Sequence, residues 1–425
     1  MIETTRRHMS KITGALAVTV LAGGLLAAPA RAEPVTLQWQ TANLTEPQFE
    51  PVWKQMIAEF EAANPDIHIE PILVARKDDW TKFVTAAQAR RAPCVVQEDL
   101  ATSAYNGYLM PLDRFWATEP AAFRAAYSDD IMAAMHWKGA LYGVPIWGGV
   151  FAEIYNTDML TAAGLDAAHP PTTIAEYLDW MRKLTKPGQW GTAVLGGPTD
   201  TTTRVLLTWI WANGGEAFNA DMTKATFAAD PKSLEAIKTY LGLVGQGLAA
   251  PSPNTTNYLE QTVLFEQGKI AAVRSAYWAI AKMLVDNPSL AGRMTVGPVP
   301  GNGATLALLA PASIASSCKY PDQAWKFIKF QAEKKWALER ARVSDWMPLR
   351  NDMMDEPEIA QDPLLQRFMQ IGLQARSYPL PHPAWAEIGG VDVVKAVQRA
   401  LLDPAHTEQI FRDLDALLNK KLNDL

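Results

Sequence analysis

Val35-Thr36-Leu37-Gln38-Trp39-Gln40 alternates apolar and polar side chains, as a half-buried β-strand does. The segments after this strand continue the pattern of an α/β protein. In chain order they are a helix from Phe49 to Phe60 that Asn64-Pro65 ends, a strand over 67–74, a helix capped by Asp78 or Asp79, and a strand at Cys94-Val95-Val96. This β-α-β-α-β order predicts an open, largely parallel sheet with helices on both faces.

The same alternation of strands and helices resumes in the second half of the chain. Thr173 and Glu176 form a capping box, which predicts the start of a helix. Asp230-Pro231 and Asp322 predict two further helix starts. The chain has 425 residues, too many for one ordinary domain, and it contains no internal repeat or Ser/Gly linker. We therefore expect two α/β lobes joined by short crossings.

The composition is that of an ordinary soluble globular protein, with 48% hydrophobic residues, 20% charged residues and a formal net charge of −6. An acidic chain without clustered Lys and Arg cannot neutralise many phosphates, which argues against nucleic acid as a partner. Tryptophan is unusually frequent, with 15 residues, and this excess calls for a reason beyond core filling.

The N-terminus has the features of a cleavable export signal over residues 1–32. Arg6, Arg7 and Lys11 supply a positive start, an uncharged run follows, and Ala30-Arg31-Ala32 offers a cleavage site. The segment around Arg6-Arg7 also has some twin-arginine character. A periplasmic location is expected, and the alternative is an uncleaved membrane anchor.

The two cysteines, Cys94 and Cys318, are separated by a long stretch of chain. Export to an oxidising compartment permits a disulfide between them, and two small buried side chains are the alternative. The sequence leaves both possibilities open.

The sequence carries no recognisable catalytic or cofactor motif. Its histidines form no metal-ligand pair, so no metal site and no cofactor is expected. A nucleophile elbow, a dinucleotide fingerprint and a phosphate loop are all missing. Adjacent acids such as Glu98-Asp99 fit a general acid and base only if they face each other across a substrate, and loop charges or helix caps are the simpler interpretation.

Ten short motifs spread over nearly the whole chain after the signal segment occur in an order that is typical of one family. They are Thr36-Leu37-Gln38-Trp39, 57–67, 107–113, 141–145, 154–158, Gly164-Leu165, 170–173, 213–216, 265–271 and 324–330. Together they resemble extracellular solute-binding protein family 1, the carbohydrate-binding receptors of ABC importers, a group that includes maltose-binding protein. One departure is Pro93-Cys94-Val95, where the family pattern has an acidic residue in the middle.

The resemblance implies a two-lobed periplasmic-binding-protein type II fold with three interlobe crossings, near 145–149, 300–304 and 343–348. One lobe would hold 34–146 and 304–345, and the other 147–303 and 346–425. It further implies a monomeric receptor without enzymatic activity that passes its solute to the transmembrane permease subunits of an ABC importer. The excess of tryptophan agrees, because sugars present apolar faces to aromatic rings and hydroxyls to polar side chains.

The candidate ligand contacts come from two sources. The resemblance implies Trp147, Tyr277, Trp278, Trp346, Arg350 and Trp385, although Trp278 is alternatively a core residue and Arg350 an interlobe ion pair. Ligands of open α/β sheets collect at the carboxyl ends of strands and at helix N-termini, which adds Asn43, Glu46, Asp79, Glu98, Asp99, Thr202, Thr203 and Arg204.

The expected function is therefore capture of a sugar, oligosaccharide or sugar derivative between two lobes. Two alternatives stay open at this point. The first is a receptor for a non-sugar or anionic solute, such as a polyol, a glycerol phosphodiester, or a sulfonated or phosphorylated sugar. An anionic group on the solute would suit the segment from Gly196 to Arg204, because it leads into a helix N-terminus. The second is a secreted glycosidase that uses Glu98 or Asp99 as its acid.

Overall fold

The structure is a computed structural model that describes residues 34–45, 50–75, 78–344, 347–373, 375–378 and 382–423. The predicted signal peptide lies outside these residues. The described part contains these strands: β1 Val35–Thr41, β2 Ile67–Leu73, β3 Val95–Val96, β4 His136–Trp137, β5 Ala140–Leu141, β6 Val144–Val150, β7 Ala152–Asn156, β8 Ala272–Ser275, β9 Met294–Gly297, β10 Thr305–Ile314 and β11 Ala375–Tyr378.

The helices surround these strands and fall in two groups, a first group before β6 and a longer second group after β7. In chain order they are α1 Glu50–Ala63, α2 Asp79–Gln88, α3 Leu100–Tyr105, α4 Asp113–Trp116, α5 Ala121–Arg124, α6 Asp129–Ala133, α7 Thr157–Ala162, α8 Ile174–Leu184, α9 Asp200–Ala212, α10 Pro231–Gly245, α11 Tyr258–Glu266, α12 Tyr277–Asp286, α13 Pro321–Gln331, α14 Lys334–Ser344, α15 Pro357–Ala360, α16 Pro363–Gly372, α17 Trp385–Glu387, α18 Val393–Leu402 and α19 Thr407–Asn423.

The first sheet has the strand order β11-β10-β3-β1-β2, with β6 paired to β10. β1 lies between β2 and β3 and is parallel to both, which confirms the predicted β-α-β-α-β unit. Its apolar face is fully buried: Trp39 packs against Trp53 of α1 and Phe327 of α13, with ring centroids 5.1 and 5.5 Å apart. Burial of such large aromatic side chains fixes how α1 and α13 sit on the sheet.

The second sheet is a separate, three-stranded antiparallel sheet with the order β8-β7-β9. Glu153 of β7 faces Arg274 of β8, and the two side chains form a buried ion pair beneath the Trp209 ring. Buried charges such as those of Glu153 and Arg274 need a partner of opposite sign to offset their loss of hydration.

The predicted helix starts around this sheet are confirmed, because Thr173 and Glu176 form the capping box of α8 and Asp230 caps α10.

Three chain segments run side by side where β6 of the first sheet continues into β7 of the second sheet. β6 and β10 form an antiparallel ladder over 144–150 and 307–312, and Met347 bridges to Gly148 of β6. The ladder shifts register between Ala310 and Pro311. Pro311 lies opposite Pro145, and because neither proline has a backbone N–H to donate, the regular hydrogen bonding is interrupted there.

Gly148 and Gly149 allow the close approaches that this arrangement needs. A Cβ atom on Gly148 would lie 2.6 Å from the carbonyl oxygen of Leu308, and one on Gly149 would lie 2.1 Å from Cζ3 of Trp278. Both values are far below a normal van der Waals contact. The two glycines are therefore required by packing.

A disulfide joins Cys94, just before β3, to Cys318, just after β10, with the Cα atoms 4.6 Å apart. It answers the question that the sequence left open, and it accounts for the cysteine that stands where the family pattern has an acid. The bond closes a loop with a sequence separation of 224 residues. In the part of the chain that the structure describes, no helix combines the length and the apolar character needed to cross a bilayer.

We predict that Cys94→Ser with Cys318→Ser lowers the free energy of unfolding by about 3–5 kcal/mol, because the bond removes entropy from a very long loop of the unfolded chain. Urea denaturation with and without reductant measures this. The serine variant should be insensitive to reductant, and a loss below about 1 kcal/mol would show that the two segments are held in place without the bond.

We predict that Gly149→Ala lowers stability by about 1–3 kcal/mol, because the added methyl group overpacks the Trp278 ring. Gly245→Ala in α10 is the matched control, since a Cβ there would meet no atom within 4 Å. Thermal unfolding of both variants tests the packing. Equal melting temperatures would contradict it.

Candidate functional site

A cavity of about 600 Å³ opens between the elements around the first sheet and those around the second sheet. Its lining comes from many parts of the chain, as is usual for a site at the carboxyl ends of strands. The lining residues are Ala42, Asn43, Asp79, Gln97, Glu98, Asp99, Leu100, Ala101, Ala133, Ala134, Met135, His136, Trp147, Asp200, Arg204, Leu308, Leu309, Ala310, Pro311, Ser377, Trp385, Ala386 and Gly390.

One wall of the cavity, here called the acidic wall, is formed by Asp79, Glu98 and Asp99. The side-chain amide of Gln40, at the end of β1, donates to Asp79 Oδ1 at 2.7 Å and to Glu98 Oε1 at 3.1 Å. The same nitrogen also lies 3.0 Å from the Asp79 carbonyl oxygen. One amide therefore links α2 to the segment after β3 and holds two carboxylates on the same side of the cavity.

Burial perturbs the acids of this wall. Burial and the neighbouring carboxylates of Asp79 and Asp99 raise the pKa of Glu98 to about 9, against the hydrogen bond from Gln40, which lowers it. Burial also raises the pKa of Asp99, although Asp99 accepts a hydrogen bond of 2.7 Å from the backbone N–H of Thr102 as the cap of α3. A pKa of about 9 keeps Glu98 protonated at neutral pH.

A second polar pair borders the acidic wall. Asn43, directly after β1, donates through its side-chain amide to Gln97 Oε1 at 3.0 Å. Gln97 Nε2 is buried and has no hydrogen-bond acceptor among the described residues. A buried amide without an acceptor costs free energy, so a solute oxygen or a water would be stabilised beside it.

The opposite wall belongs to the elements around the second sheet. Arg204 in the second turn of α9 forms an ion pair with Asp200 in the first turn. Trp385 at the start of α17 is almost fully buried, and its indole packs on Phe218 and against Gly389. The π-helical turn over Ile388–Asp392 follows directly and brings Gly390 to the cavity.

The floor of the cavity is the ladder of β6 and β10. Trp147 lies opposite Ala310, and Gly149 lies opposite Leu308. Because side chains alternate along a strand, Trp147 and Gly149 share one face of β6. The Trp278 ring covers Gly149 on that face and makes an edge contact with Phe151. Trp278 is thus a neighbour of the floor without being among the lining residues.

The structure brings seven of the fourteen predicted contact residues together around this one cavity. Asn43, Asp79, Glu98 and Asp99 are on one side, Arg204 and Trp385 on the other, and Trp147 in the floor. Glu46 and Trp346 lie outside the described residues.

The candidates Thr202 and Thr203 lie away from this cavity. Both are fully buried and do not line the cavity. The Thr202 hydroxyl donates to the Gly197 carbonyl at 2.7 Å, and the Thr203 hydroxyl donates to the Gly389 carbonyl at 2.6 Å. Each hydroxyl therefore satisfies a backbone carbonyl group, which accounts for both side chains.

Tyr277 and Arg350 also lie away from the cavity. The Tyr277 hydroxyl donates to Asp362, the cap of α16. Arg350 makes a two-pronged ion pair with Asp352 and donates to the Ala332 carbonyl at 2.9 Å. Asp352 is only two residues away from Arg350 and belongs to the same expected lobe. This ion pair is therefore not the interlobe ion pair that was the alternative interpretation of Arg350.

Sequence reasoning missed several lining residues. Gln97 precedes Glu98 directly after β3. The rule that ligands collect at the carboxyl ends of strands, which selected Glu98, would have selected Gln97 as well. Asp200 was part of the Gly196–Arg204 segment but was not chosen. The apolar run Leu308–Pro311 and the segment Ala133–His136 carry no chemical signal, since only the pairing of β10 with β6 and the position of α6 place them at the cavity.

Comparison with known families gives a match over most of the chain. Residues 55–367 match the family model described as bacterial extracellular solute-binding protein. A Brucella abortus (strain 2308) protein whose name describes it as a binding protein is 25% identical over 390 residues, covering 88% of this chain and 91% of the relative.

Solved structures agree on the fold. A solute-binding protein of an ABC transporter from Thermotoga lettingae, bound with alpha-D-tagatose, matches with a TM-score of 0.79 and 24% identity over 92% of this chain and all of that chain. The sugar-binding protein MalE of Xanthomonas citri matches with a TM-score of 0.81 and 20% identity, covering 92% and 98%. These likenesses confirm the predicted α/β, two-lobed fold of periplasmic binding proteins.

We predict that stability falls as pH rises between about 5 and 9. The folded protein keeps a proton on Glu98 up to a pKa of about 9, whereas an ordinary glutamate loses it near 4.5, so the folded state binds more protons in this window. The upper bound is about 1.4 kcal/mol per pH unit.

Urea denaturation across this pH range measures the slope. Glu98→Gln should flatten this part of the profile, because glutamine does not titrate, while the exposed Glu235→Gln in α10 should keep the wild-type profile. An unchanged slope in Glu98→Gln would assign the effect to another group.

Proposed function

Because this chain belongs to the family of bacterial extracellular solute-binding proteins, we propose that it captures a sugar or sugar derivative in the cavity and delivers it to the permease of an ABC importer. Trp147 in the floor and Trp385 in one wall supply aromatic surface, and the opposite wall supplies carboxylates and amides. A sugar needs both, since its C–H faces are apolar and its hydroxyls require hydrogen-bond partners. This combination in one cavity is the observation that carries the proposal.

The mechanism is a shift between open and closed populations. Asp79 and Glu98 come from elements around the first sheet, whereas Arg204 and Trp385 come from elements around the second. A solute that touches both sets makes more contacts when they approach, and it favours the closed form by the free energy of those extra contacts. The solute leaves chemically unchanged.

The lobes in this proposal are those expected from the sequence, 34–146 with 304–345 and 147–303 with 346–425. Three observations support crossings at those places: β6 spans 144–150, β10 begins at Thr305, and Met347 bridges to Gly148. The register shift at Pro311 leaves a weak point in the ladder beside the cavity, where bending would cost few hydrogen bonds.

Export by the signal segment 1–32 completes the proposal and places the receptor in the periplasm, as a monomer that meets the permease there. The disulfide between Cys94 and Cys318 is suited to that oxidising compartment.

The anionic-solute alternative has weaker support. Arg204 already forms an ion pair with Asp200, and the wall opposite it is the acidic wall, which would repel an anion. The glycosidase alternative requires two carboxyl groups that face each other across the substrate. Asp79 and Glu98 instead share the Gln40 amide on one side of the cavity, and Asp99 caps α3.

A thermal-shift panel of mono- and oligosaccharides tests the proposal, because a ligand that binds only the folded state raises the melting temperature. Trp147→Leu should weaken the best sugar about tenfold through lost ring stacking, which corresponds to about 1.4 kcal/mol. Trp116→Leu, on α4 outside the cavity, should leave its affinity unchanged.

Two results would count against the proposal. A panel in which no sugar raises the melting temperature would remove the carbohydrate class. Equal affinities of wild type and Trp147→Leu would remove this cavity as the binding site.

A further inference from the structure

We propose that the disulfide between Cys94 and Cys318 holds β3 in register with β10 and thereby positions residues 97–99 for solute binding. This inference rests on the proposed function, because it takes the cavity for the solute site. It goes further by giving the bond a role in affinity that is separate from its role in stability.

Strand β3 is held in the sheet by few backbone contacts. It consists of Val95 and Val96, although it lies in the middle of the sheet between β1 and β10. In the described part of the chain it pairs with β1 through one residue pair and with β10 through two. A hydrogen bond of 3.0 Å from the Ala315 N–H to the Cys94 carbonyl extends this pairing. Typical strands have about 5–6 residues, so the backbone alone fixes the register of β3 weakly.

The pairing of β3 with β10 ends before the cavity. Ser313 lies opposite Val96, and two residues further along the same register Glu98 would lie opposite Pro311. Proline has no N–H to donate to a ladder. Residues 97–99 line the cavity, and none of the described residues pairs with them as a strand. Their position therefore depends on the register of β3.

The hydrophobic pattern does not select this register. Val95 and Val96 are both fully buried, Val95 in the core around Trp39 and Val96 in a smaller cluster with Phe83. A slip by one residue would put Cys94 in the place of Val95 and Val95 in the place of Val96. Because a reduced cysteine behaves as a small apolar side chain, apolar groups would still fill both places.

The same slip would rearrange the cavity wall. Gln97 would move to the place of Glu98, and Glu98 to that of Asp99. The Gln40 amide could then donate to the Gln97 side-chain carbonyl, so its hydrogen bond to Glu98 discriminates poorly between the two registers. Asp99 would leave the backbone N–H of Thr102 from which it now accepts a hydrogen bond. The slipped strand would thus present different side chains to a solute.

The disulfide excludes this slip. Cys318 follows the end of β10, and its Cα atom lies 4.6 Å from that of Cys94. The slip would move Cys94 by about 3.4 Å along β10, away from that end, and would turn its side chain to the opposite face of the sheet. Two cysteines whose Cβ atoms point apart cannot stay bonded. By comparison, a neutral hydrogen bond such as that of Asn43 to Gln97 contributes little net free energy.

A purely global role is the alternative. The bond closes a loop with a sequence separation of 224 residues, and such a cross-link stabilises a protein mainly by restricting its unfolded chain. A bond that acts only on the unfolded chain leaves the solute affinity of the folded protein unchanged. A bond that positions residues 97–99 changes this affinity, so the two roles differ in a measurable quantity.

Isothermal titration calorimetry measures this quantity. The probe is the sugar that raises the melting temperature most among D-glucose, D-galactose, D-xylose, maltose, cellobiose and lactose. Well below its melting temperature, the double variant Cys94→Ser with Cys318→Ser should bind this sugar at least tenfold more weakly than the wild type. Circular dichroism establishes that it is folded.

Leu418→Ala in α19 is the matched control. Leu418 is fully buried and does not line the cavity, so its truncation lowers stability without touching the site. This variant should keep the wild-type affinity.

Reduction of folded wild type with dithiothreitol replaces the serine variant if that variant does not fold. The dithiol is oxidised to its cyclic disulfide, while the sulfur atoms of Cys94 and Cys318 each gain a hydrogen. The reduced protein should show the same loss of affinity. By linkage, a saturating concentration of the sugar should then shift the thiol–disulfide equilibrium at least tenfold toward the disulfide, as thiol labelling in a dithiothreitol redox buffer would measure.

Hydrogen exchange tests the register without a sugar. Amides of residues 92–101 should exchange at least tenfold faster in the serine variant than in the wild type, because the short strand is no longer pinned. In Leu418→Ala the same amides should keep their wild-type protection.

The outcomes separate the two proposals. If the serine variant and the reduced wild type bind within twofold of the oxidised protein, the inference fails, and Trp147→Leu decides the proposed function independently. An equal loss of affinity in Leu418→Ala would assign the effect to stability and overturn the inference. If no sugar binds the oxidised protein, the carbohydrate proposal fails, and unchanged exchange of residues 92–101 would overturn the inference as well.

Discussion

The antiparallel ladder between β6 and β10 is the contact on which the site depends. It is part of the first sheet, and its strand β6 continues directly into β7 of the second sheet. It also forms the floor of the cavity with Trp147 and Ala310, and Met347 bridges to its free edge. Two sequence features make this possible. The Gly148-Gly149 pair lets a neighbouring strand and the Trp278 ring come within contact distance, and the facing prolines Pro145 and Pro311 interrupt the hydrogen bonds at one place.

The acidic wall shows how the fold accommodates buried acids at the candidate site. Burial raises the pKa of Glu98 and Asp99, which follow β3, and the proton on Glu98 and the Gln40 amide that Asp79 and Glu98 share lower the cost of burying these acids. The large core around Trp39 and the disulfide after β10 hold this wall in place.

The predictions from sequence succeeded or failed according to how local their physical basis was. Strand β1, helix α1 and the caps at Thr173 and Asp230 depend on neighbouring residues and were predicted correctly. Polar residues at strand ends, such as Asn43 and Glu98, also reached the cavity, because the carboxyl ends of parallel strands meet. Thr202, Thr203, Tyr277 and Arg350 lie elsewhere, and their side chains bond to Gly197, Gly389, Asp362 and Asp352, two of which are far away along the chain.

By itself, the amino-acid sequence determined the α/β class, the helix starts, the family resemblance and seven of the 23 residues that line the cavity, because periodicity, capping and strand-end chemistry are properties of short segments. Only the tertiary structure decided that Cys94 meets Cys318, that Leu308–Pro311 line the cavity, and that Asp79 and Glu98 share one amide. Those contacts join residues that are far apart along the chain, and their geometry depends on how the elements of the two sheets pack at the β6–β10 ladder of the first sheet. No local pattern contains that information.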